Sequence, residues 1–218
     1  MKTVVQTSSL LLLVLFTLPF AIYAANFAQG GFRDALPEPH YIQSENVAAN
    51  ALVFGHMAAG ALVTLMVPLQ LIAPLRRRFP VLHRWSGRFI VSAAIITAIG
   101  GLGYILLRGT IGGTPMDIGF ALYGLLLLLA AVQTIRHART RRFTMHQAWA
   151  LRLFWLALAS WLYRVHYALW YLATDGLWSN PQFTGGFDLV QNFAFYLPYL
   201  LGVEIYLRRR GSPDTSET

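Results

Sequence analysis

Long apolar blocks separated by short arginine-rich or acidic segments dominate the chain. Six blocks approach 20 residues, and they cover residues 9–27, 49–75, 89–107, 116–135, 148–173 and 189–207. An apolar helix of about 20 residues crosses a bilayer core of about 30 Å. Because an isolated strand cannot satisfy its backbone in lipid, each block is predicted to be helical. The pattern predicts an all-α, polytopic membrane bundle of six transmembrane helices.

The first block allows two interpretations. Lys2 precedes an apolar run that ends at Ile22-Tyr23-Ala24, and a cleaved signal peptide has a similar outline. The bulky Tyr23 is a poor residue for a cleavage site, which favours a retained helix; a cleaved block would leave five spans. Residues 1–28 are therefore a first transmembrane helix or signal anchor, 29–48 an external loop, 49–207 a five-helix bundle and 208–218 a cytoplasmic tail.

Composition supports a membrane protein and removes several other classes. Hydrophobic residues make up 56% of the chain and charged residues 12%, against about 25% charged residues in soluble domains. Cysteine is absent, which excludes disulfides, thiol nucleophiles and cysteine-ligated metals. The net charge of +8 can indicate a nucleic-acid partner. Here the arginines flank apolar blocks, so we expect no nucleic acid and a lipid bilayer as the partner.

The distribution of arginine between loops predicts the orientation in the membrane. The loops after the second and fourth blocks and the C-terminal tail hold Arg76, Arg77, Arg78, Arg84, Arg88, Arg136, Arg139, Arg141, Arg142, Arg208, Arg209 and Arg210. The alternate loops hold only Arg33 and Arg108, beside most of the acidic residues. Since arginine-rich loops stay on the cytoplasmic side, both termini are predicted to be cytoplasmic. The expected location is a bacterial inner membrane.

Ionisable and amide side chains within the apolar blocks are candidate functional residues, because each is costly in lipid. The set comprises His56, Gln70, Arg152, Arg164, His166 and Glu204, with His83 and His146 at the inner boundary. His56 and Gln70 lie 14 positions apart, as do Arg152 and His166. That spacing leaves the two side chains about 40° apart around a helix. The second and fifth blocks therefore each present one polar face.

Two pairs of histidines are predicted to lie at matching depths in the membrane. His56 pairs with His166 near the outer face, with Gly60 on the same wall, and His83 pairs with His146 near the inner face. Two neutral imidazoles are the axial ligands of a bis-histidine haem. The leading hypothesis is therefore a protein that binds haem b, or a quinone-linked redox protein, in which His56 and His166 ligate the iron.

Arginines near the membrane faces also fit this hypothesis, because a guanidinium can pair with a haem propionate. Arg152 and Arg164 are the candidates. Arg152 is also expected to meet Glu204 or Gln70 inside the bundle, since an unpaired cation is costly there.

Other interpretations stay open on the sequence alone. A non-enzymatic membrane protein that binds or transports a small molecule or lipid is the second hypothesis, and an assembly scaffold is the third. In both, the histidines and arginines need only specify helix packing.

The chain has no Walker loop, His-Glu-x-x-His or Gly-x-Ser-x-Gly motif, so no catalytic residue is assigned. Gly100, Gly101 and Gly103 predict close helix packing, and Pro68 and Pro198 predict kinks.

Several short strings are similar to one family. They are His56, the Pro68-Leu69-Gln70 run, Leu82-His83-Arg84-Trp85-Ser86-Gly87-Arg88 and His146…Trp149…Arg152, extended by Arg164. Over roughly residues 50–170 the chain resembles the bacterial membrane family named domain of unknown function 2306 (DUF2306). Gln147 and Leu151 depart from the pattern, which has arginine and isoleucine there. The resemblance implies no activity, but it implies that the histidine and arginine positions belong to the family's own pattern.

Overall fold

A computed structural model describes residues 2–36, 42–43 and 45–211. Within these residues the chain forms helices and no strand, which confirms the predicted all-α class. The helices are α1 (Lys2–Phe32), α2 (Val47–Gln70), α3 (Ala73–Arg78), α4 (Pro80–Arg108), α5 (Gly113–Arg139), α6 (Phe143–Thr174), α7 (Gly186–Ala194) and α8 (Leu197–Arg209). Most of the predicted tail, residues 212–218, lies outside the described part of the chain.

Among the residues that the structure describes, four helices are long and apolar enough to cross a membrane, namely α1 from Val5 onward, α2, α4 and α5. Helix α6 has 32 residues and a length of about 48 Å, but Arg152 and Arg164 interrupt its apolar sequence. Helices α7 and α8 have nine and 13 residues, fewer than the roughly 20 that one span requires. The structure fits an all-α membrane bundle, whereas the number of six spans stays a prediction.

Three boundaries differ from the sequence-based expectation. Helix α1 continues through Gly30 and Gly31 to Phe32, so the predicted boundary at residue 28 lies inside it. The second block ends as a helix at Gln70, two residues after Pro68, and a turn then leads into α3. The sixth block is two helices, because α7 ends at Ala194 and α8 begins anew with Pro198 in its first turn. Proline lacks an N–H and fits well in the first turn of a helix, where that N–H would have no partner, so here a new helix start replaces the expected kink.

Residues Met1–Arg108 form a first compact unit, in which α2 contacts both α1 and α4. Glycines allow these helices to approach closely. A Cβ on Gly31 of α1 would lie 2.2 Å from the Phe54 ring, and one on Gly100 of α4 would lie 2.7 Å from the Leu52 carbonyl oxygen. The close packing expected of the glycine run in α4 is therefore present.

Residues Gly109–Thr218 form a second unit, in which α5 contacts α6 and α7, and α8 contacts α6 and α7. Buried aromatic residues fill the break between α7 and α8, where Phe195 and Tyr196 are 0% and 1% exposed. The Tyr196 hydroxyl donates to the Gly119 carbonyl of α5 at 3.1 Å. The Tyr123 hydroxyl joins α5 to α6 by donating to the Leu156 carbonyl at 2.8 Å. These bonds place α8 at a fixed position beside α6.

Candidate functional site

An apolar cleft lies among α5, α6 and α8 of the second unit and has a volume of about 660 Å³. Its apolar walls are formed by Leu126, Leu129, Ala130, Leu156, Leu197, Pro198, Leu200 and Leu201. Trp149, Arg152 and Glu204 complete the lining. Sites for small organic molecules are typically roughly 300–1,000 Å³ and mostly apolar, with few polar groups. The cleft has the size and the composition of such a site.

The polar group of the cleft is the ion pair between Arg152 and Glu204. The guanidinium donates through Nε to one carboxylate oxygen at 2.6 Å and through Nη2 to the other at 2.8 Å. This two-point geometry is the strongest arrangement of arginine with a carboxylate. The Arg152 guanidinium also lies 4.6 Å from the centre of the Trp149 ring. The predicted pairing of Arg152 with Glu204 is confirmed, and the side chain is held on two sides.

The third nitrogen of the guanidinium, Nη1, makes no hydrogen bond within the described part of the chain. Arg152 is 20% exposed and Glu204 is 38% exposed, so the pair remains accessible from the cleft. A bound headgroup with an acceptor oxygen can therefore receive a hydrogen bond from Arg152 without displacing Glu204. The carboxylate can in turn accept a hydrogen bond from a hydroxyl on the same headgroup.

Gln70, the other expected partner of Arg152, lies in the first unit. Its side-chain amide donates to the Ser86 hydroxyl at 2.7 Å, and this hydroxyl donates to the Leu82 carbonyl at 2.6 Å. Gln70 therefore joins the end of α2 to the start of α4. A contact of Gln70 with Arg152 or Glu204 stays a prediction.

His56 lies on α2, and its Nδ1 is 2.7 Å from the Thr97 carbonyl oxygen of α4. A carbonyl oxygen only accepts, so Nδ1 carries the hydrogen and Nε2 of the neutral ring holds the lone pair. Gly101 gives the ring its space, because a Cβ there would lie 2.9 Å from Nδ1. A Cβ on Gly60 would lie 3.6 Å from the Thr97 methyl group, so Gly60 and His56 both face α4 at Thr97. A wall that both share with His166 stays a prediction.

His146 at the start of α6 repeats this arrangement in the second unit. Its Nδ1 lies 2.9 Å from the Thr134 carbonyl oxygen of α5, which again fixes the hydrogen on Nδ1. The hydroxyls of Thr97 and Thr134 each donate to the carbonyl four residues earlier, at 2.8 and 2.7 Å. Histidines that ligate metals commonly donate their second ring N–H to a carbonyl in this way. His56 and His146 therefore share one hydrogen-bonding pattern, a ring Nδ1–H that donates to a carbonyl of the neighbouring helix.

His166 has a different environment, because both of its ring nitrogens take part in hydrogen bonds. Nε2 lies 2.7 Å from the Tyr199 hydroxyl, and Nδ1 lies 3.0 Å from the amide nitrogen of Gln191. The Tyr199 ring stacks on Trp155, with 5.3 Å between ring centres. Iron ligation by His166 would have to replace one of these hydrogen bonds. His56 belongs to the first unit and His166 to the second, so their pairing stays a prediction.

His83 and Arg164 are the two remaining candidate site residues. His83 is half-buried in the first turns of α4, and its pairing with His146 of the other unit stays a prediction. Arg164 is exposed on α6 and donates through Nη1 to the Ser160 carbonyl at 3.0 Å. Among the described residues, no group of three or more histidine, aspartate or glutamate side chains could hold a bare metal ion.

The sequence did not predict a buried polar cluster at the start of α7. Asp188 is 0% exposed there, and it accepts hydrogen bonds from the hydroxyls of Tyr167 and Ser179 at 2.7 Å each. It also accepts from the backbone N–H groups of Asn180 at 3.1 Å and Gly185 at 2.9 Å. An aspartate three residues after a glycine N-cap is a helix-start signal that could have marked this position.

Residues 53–198 match a family model described as "Predicted membrane protein (DUF2306)". The matched segment covers two-thirds of the chain. The chain belongs to the DUF2306 family. No curated protein and no solved structure matches it. Within this DUF2306 protein the matched segment includes the four candidate histidines and Arg152, while Glu204 follows it.

Proposed function

We propose that this DUF2306 protein binds a lipid-soluble, amphipathic molecule in the apolar cleft of its second unit. The observation that carries the proposal is the single Arg152–Glu204 pair in a cleft otherwise lined by apolar side chains and Trp149. A long apolar chain would contact the leucine walls, and an acceptor oxygen of the headgroup would bind Arg152. Isoprenoid quinones have this chemistry, since they combine a long apolar tail with ring carbonyl oxygens.

The proposal places the protein in a bacterial inner membrane with both termini in the cytoplasm. Arginine-rich segments support this orientation, because positive loops remain on the cytoplasmic side. Glu204 stands shortly before Arg208, Arg209 and Arg210 near the end of α8. The headgroup would therefore lie in the cytoplasmic half of the bilayer, and the ligand would enter from the membrane.

Filling the cleft is expected to remove binding. Leu201 lines the cleft and is 63% exposed, so Leu201→Trp fills space without displacing a buried neighbour. We expect at least a roughly tenfold loss of affinity, equivalent to about 1.4 kcal/mol. The measurement is retention of a tritiated benzoquinone with a ten-carbon tail by the purified, immobilised protein in detergent.

Leu172→Trp is the matched control, because Leu172 of α6 is 86% exposed and does not line the cleft. It should bind the probe as the wild-type protein does. Equal binding by all three proteins, or no binding by any of them, would overturn the proposal. The second of these results would leave the assembly scaffold as the better hypothesis.

Haem binding is a second candidate function, and the orientation of His56 and His146 favours it. Each histidine donates Nδ1–H to a helix carbonyl, so Nε2 holds the lone pair that an iron would need. Haem b would give the protein one-electron redox chemistry, which can be coupled to the stepwise reduction or oxidation of a quinone.

The absorbance spectrum of protein expressed with added haem precursor tests this candidate. We expect a Soret band that shifts on reduction with dithionite and that is lost or displaced in His56→Ala or His146→Ala. Protein that folds and shows no Soret band after incubation with haem would remove the candidate.

A further inference from the structure

The start of α4 and the short helix α3 carry a dense group of exposed arginines in the first unit. Arg76, Arg77 and Arg78 end α3, and Arg84 and Arg88 lie in the first turns of α4. All five side chains are exposed, and none forms an ion pair with a carboxylate among the described residues. Five cations within 13 residues thus have no carboxylate partner in the part of the chain that the structure describes.

Large apolar side chains are exposed beside these arginines. Phe79, Leu82, Trp85 and Phe89 are 49%, 54%, 64% and 50% exposed. At about 100° per residue, Leu82, Trp85 and Phe89 fall within about 60° of one another around α4. Around the helix, Arg88 and Arg84 lie beside that stripe, next to Trp85. An apolar stripe bordered by arginines is the pattern of a helix segment at a lipid–water interface.

Two aromatic rings connect the charged and apolar parts of this surface. The Arg88 guanidinium lies 4.9 Å from the centre of the Trp85 ring, and Arg78 lies 5.8 Å from that of Phe79. The hydrogen bond from Gln70 to Ser86 fixes the start of α4 against the end of α2. The arginines are therefore presented from a fixed helical hairpin.

We infer that this surface, formed by Arg76, Arg77, Arg78, Arg84, Arg88 and Trp85, binds the phosphate groups of anionic phospholipids in the cytoplasmic leaflet. Exposed apolar side chains favour a lipid over a nucleic acid, because they can enter the acyl-chain region while the arginines contact phosphate. Guanidinium groups bind phosphate through two hydrogen bonds, which favours headgroups over diffuse attraction. The inference rests on the first unit alone and does not depend on the apolar cleft.

The test compares two sets of four substitutions in the full chain. One variant carries Arg76→Gln, Arg77→Gln, Arg84→Gln and Arg88→Gln. The control carries Arg136→Gln, Arg139→Gln, Arg141→Gln and Arg142→Gln, which removes the same charge from the second unit. The readout is native mass spectrometry of detergent-purified protein, which counts the phosphatidylglycerol and phosphatidylcholine molecules that remain bound.

We expect wild-type protein and the control to retain phosphatidylglycerol in preference to phosphatidylcholine. The first variant should lose this preference, with at least a roughly tenfold lower affinity for phosphatidylglycerol. Trp85→Gln, which keeps every charge, should weaken the same preference and serves if the first variant does not fold. Equal lipid retention in both four-residue variants would overturn the inference. Complete displacement by inorganic phosphate, or tighter binding of a DNA oligonucleotide, would also overturn it.

Discussion

Replacement of Asp188 by asparagine is expected to lower the free energy of unfolding of the protein by about 3 kcal/mol. The buried carboxylate accepts four hydrogen bonds, two at each oxygen, and an asparagine turns an NH₂ group toward two of the donors. Hydrogen bonds to a charged group contribute about 1.5–3 kcal/mol each, and the unpaired donors add their own cost. The loss should appear as a lower midpoint of thermal unfolding in detergent micelles.

Asp175→Asn is the control for this prediction. Asp175 is exposed and caps α6 in the left-handed conformation at φ 53°, which asparagine also adopts readily. We therefore expect Asp175→Asn to unfold within a degree or two of the wild-type midpoint. Similar midpoints for Asp188→Asn and the wild-type protein would show that the cluster at the start of α7 contributes little.

The second large effect is expected at the ion pair of the apolar cleft. Arg152→Met leaves the Glu204 carboxylate without its cation, in a position that is 38% exposed. Removing one partner of a fully buried pair costs about 3–5 kcal/mol, and partial exposure reduces the expected loss here to about 2 kcal/mol. The double variant Arg152→Met, Glu204→Leu removes both charges and should recover most of this stability.

Stability and ligand binding should separate in these variants. Neither the single nor the double variant is expected to retain the tritiated quinone, because both lack the donor that would bind its carbonyl oxygen. Recovered stability with no recovered binding would assign the pair to ligand recognition. A double variant that binds the probe as wild-type protein does would show that the pair acts only in helix packing.

Length and hydropathy predict most of the helices because each of those signals is local. Helices α1, α2, α4 and α5 each follow one apolar block, and no distant contact is needed to define them. The break between α7 and α8 is different. It depends on Phe195 and Tyr196 becoming buried and on a hydrogen bond to Gly119, which lies 77 positions earlier. The proline at position 198 predicted a distortion, but not that the helix would begin again.

The candidate site also has parts that the sequence predicts and parts that it does not. Depth in the membrane predicted the pair of Arg152 with Glu204, because an unpaired cation has few other ways to be satisfied there. The apolar cleft could not be predicted, since its width depends on the spacing of three helices. The acceptors of His56 and His146 could not be predicted either. They are backbone carbonyls of Thr97 and Thr134, and a carbonyl is present at every residue.

The most direct test of the proposed function is the identity of the organic molecules that copurify with the protein. Chloroform–methanol extracts of wild-type protein, Leu201→Trp and Leu172→Trp would be compared by liquid chromatography and mass spectrometry. The proposed function predicts one amphipathic species with a long apolar chain, near one molecule per chain, in the wild-type protein and Leu172→Trp. It should be depleted from Leu201→Trp. Extracts that contain the same bulk lipids in the same proportions for all three proteins would contradict it.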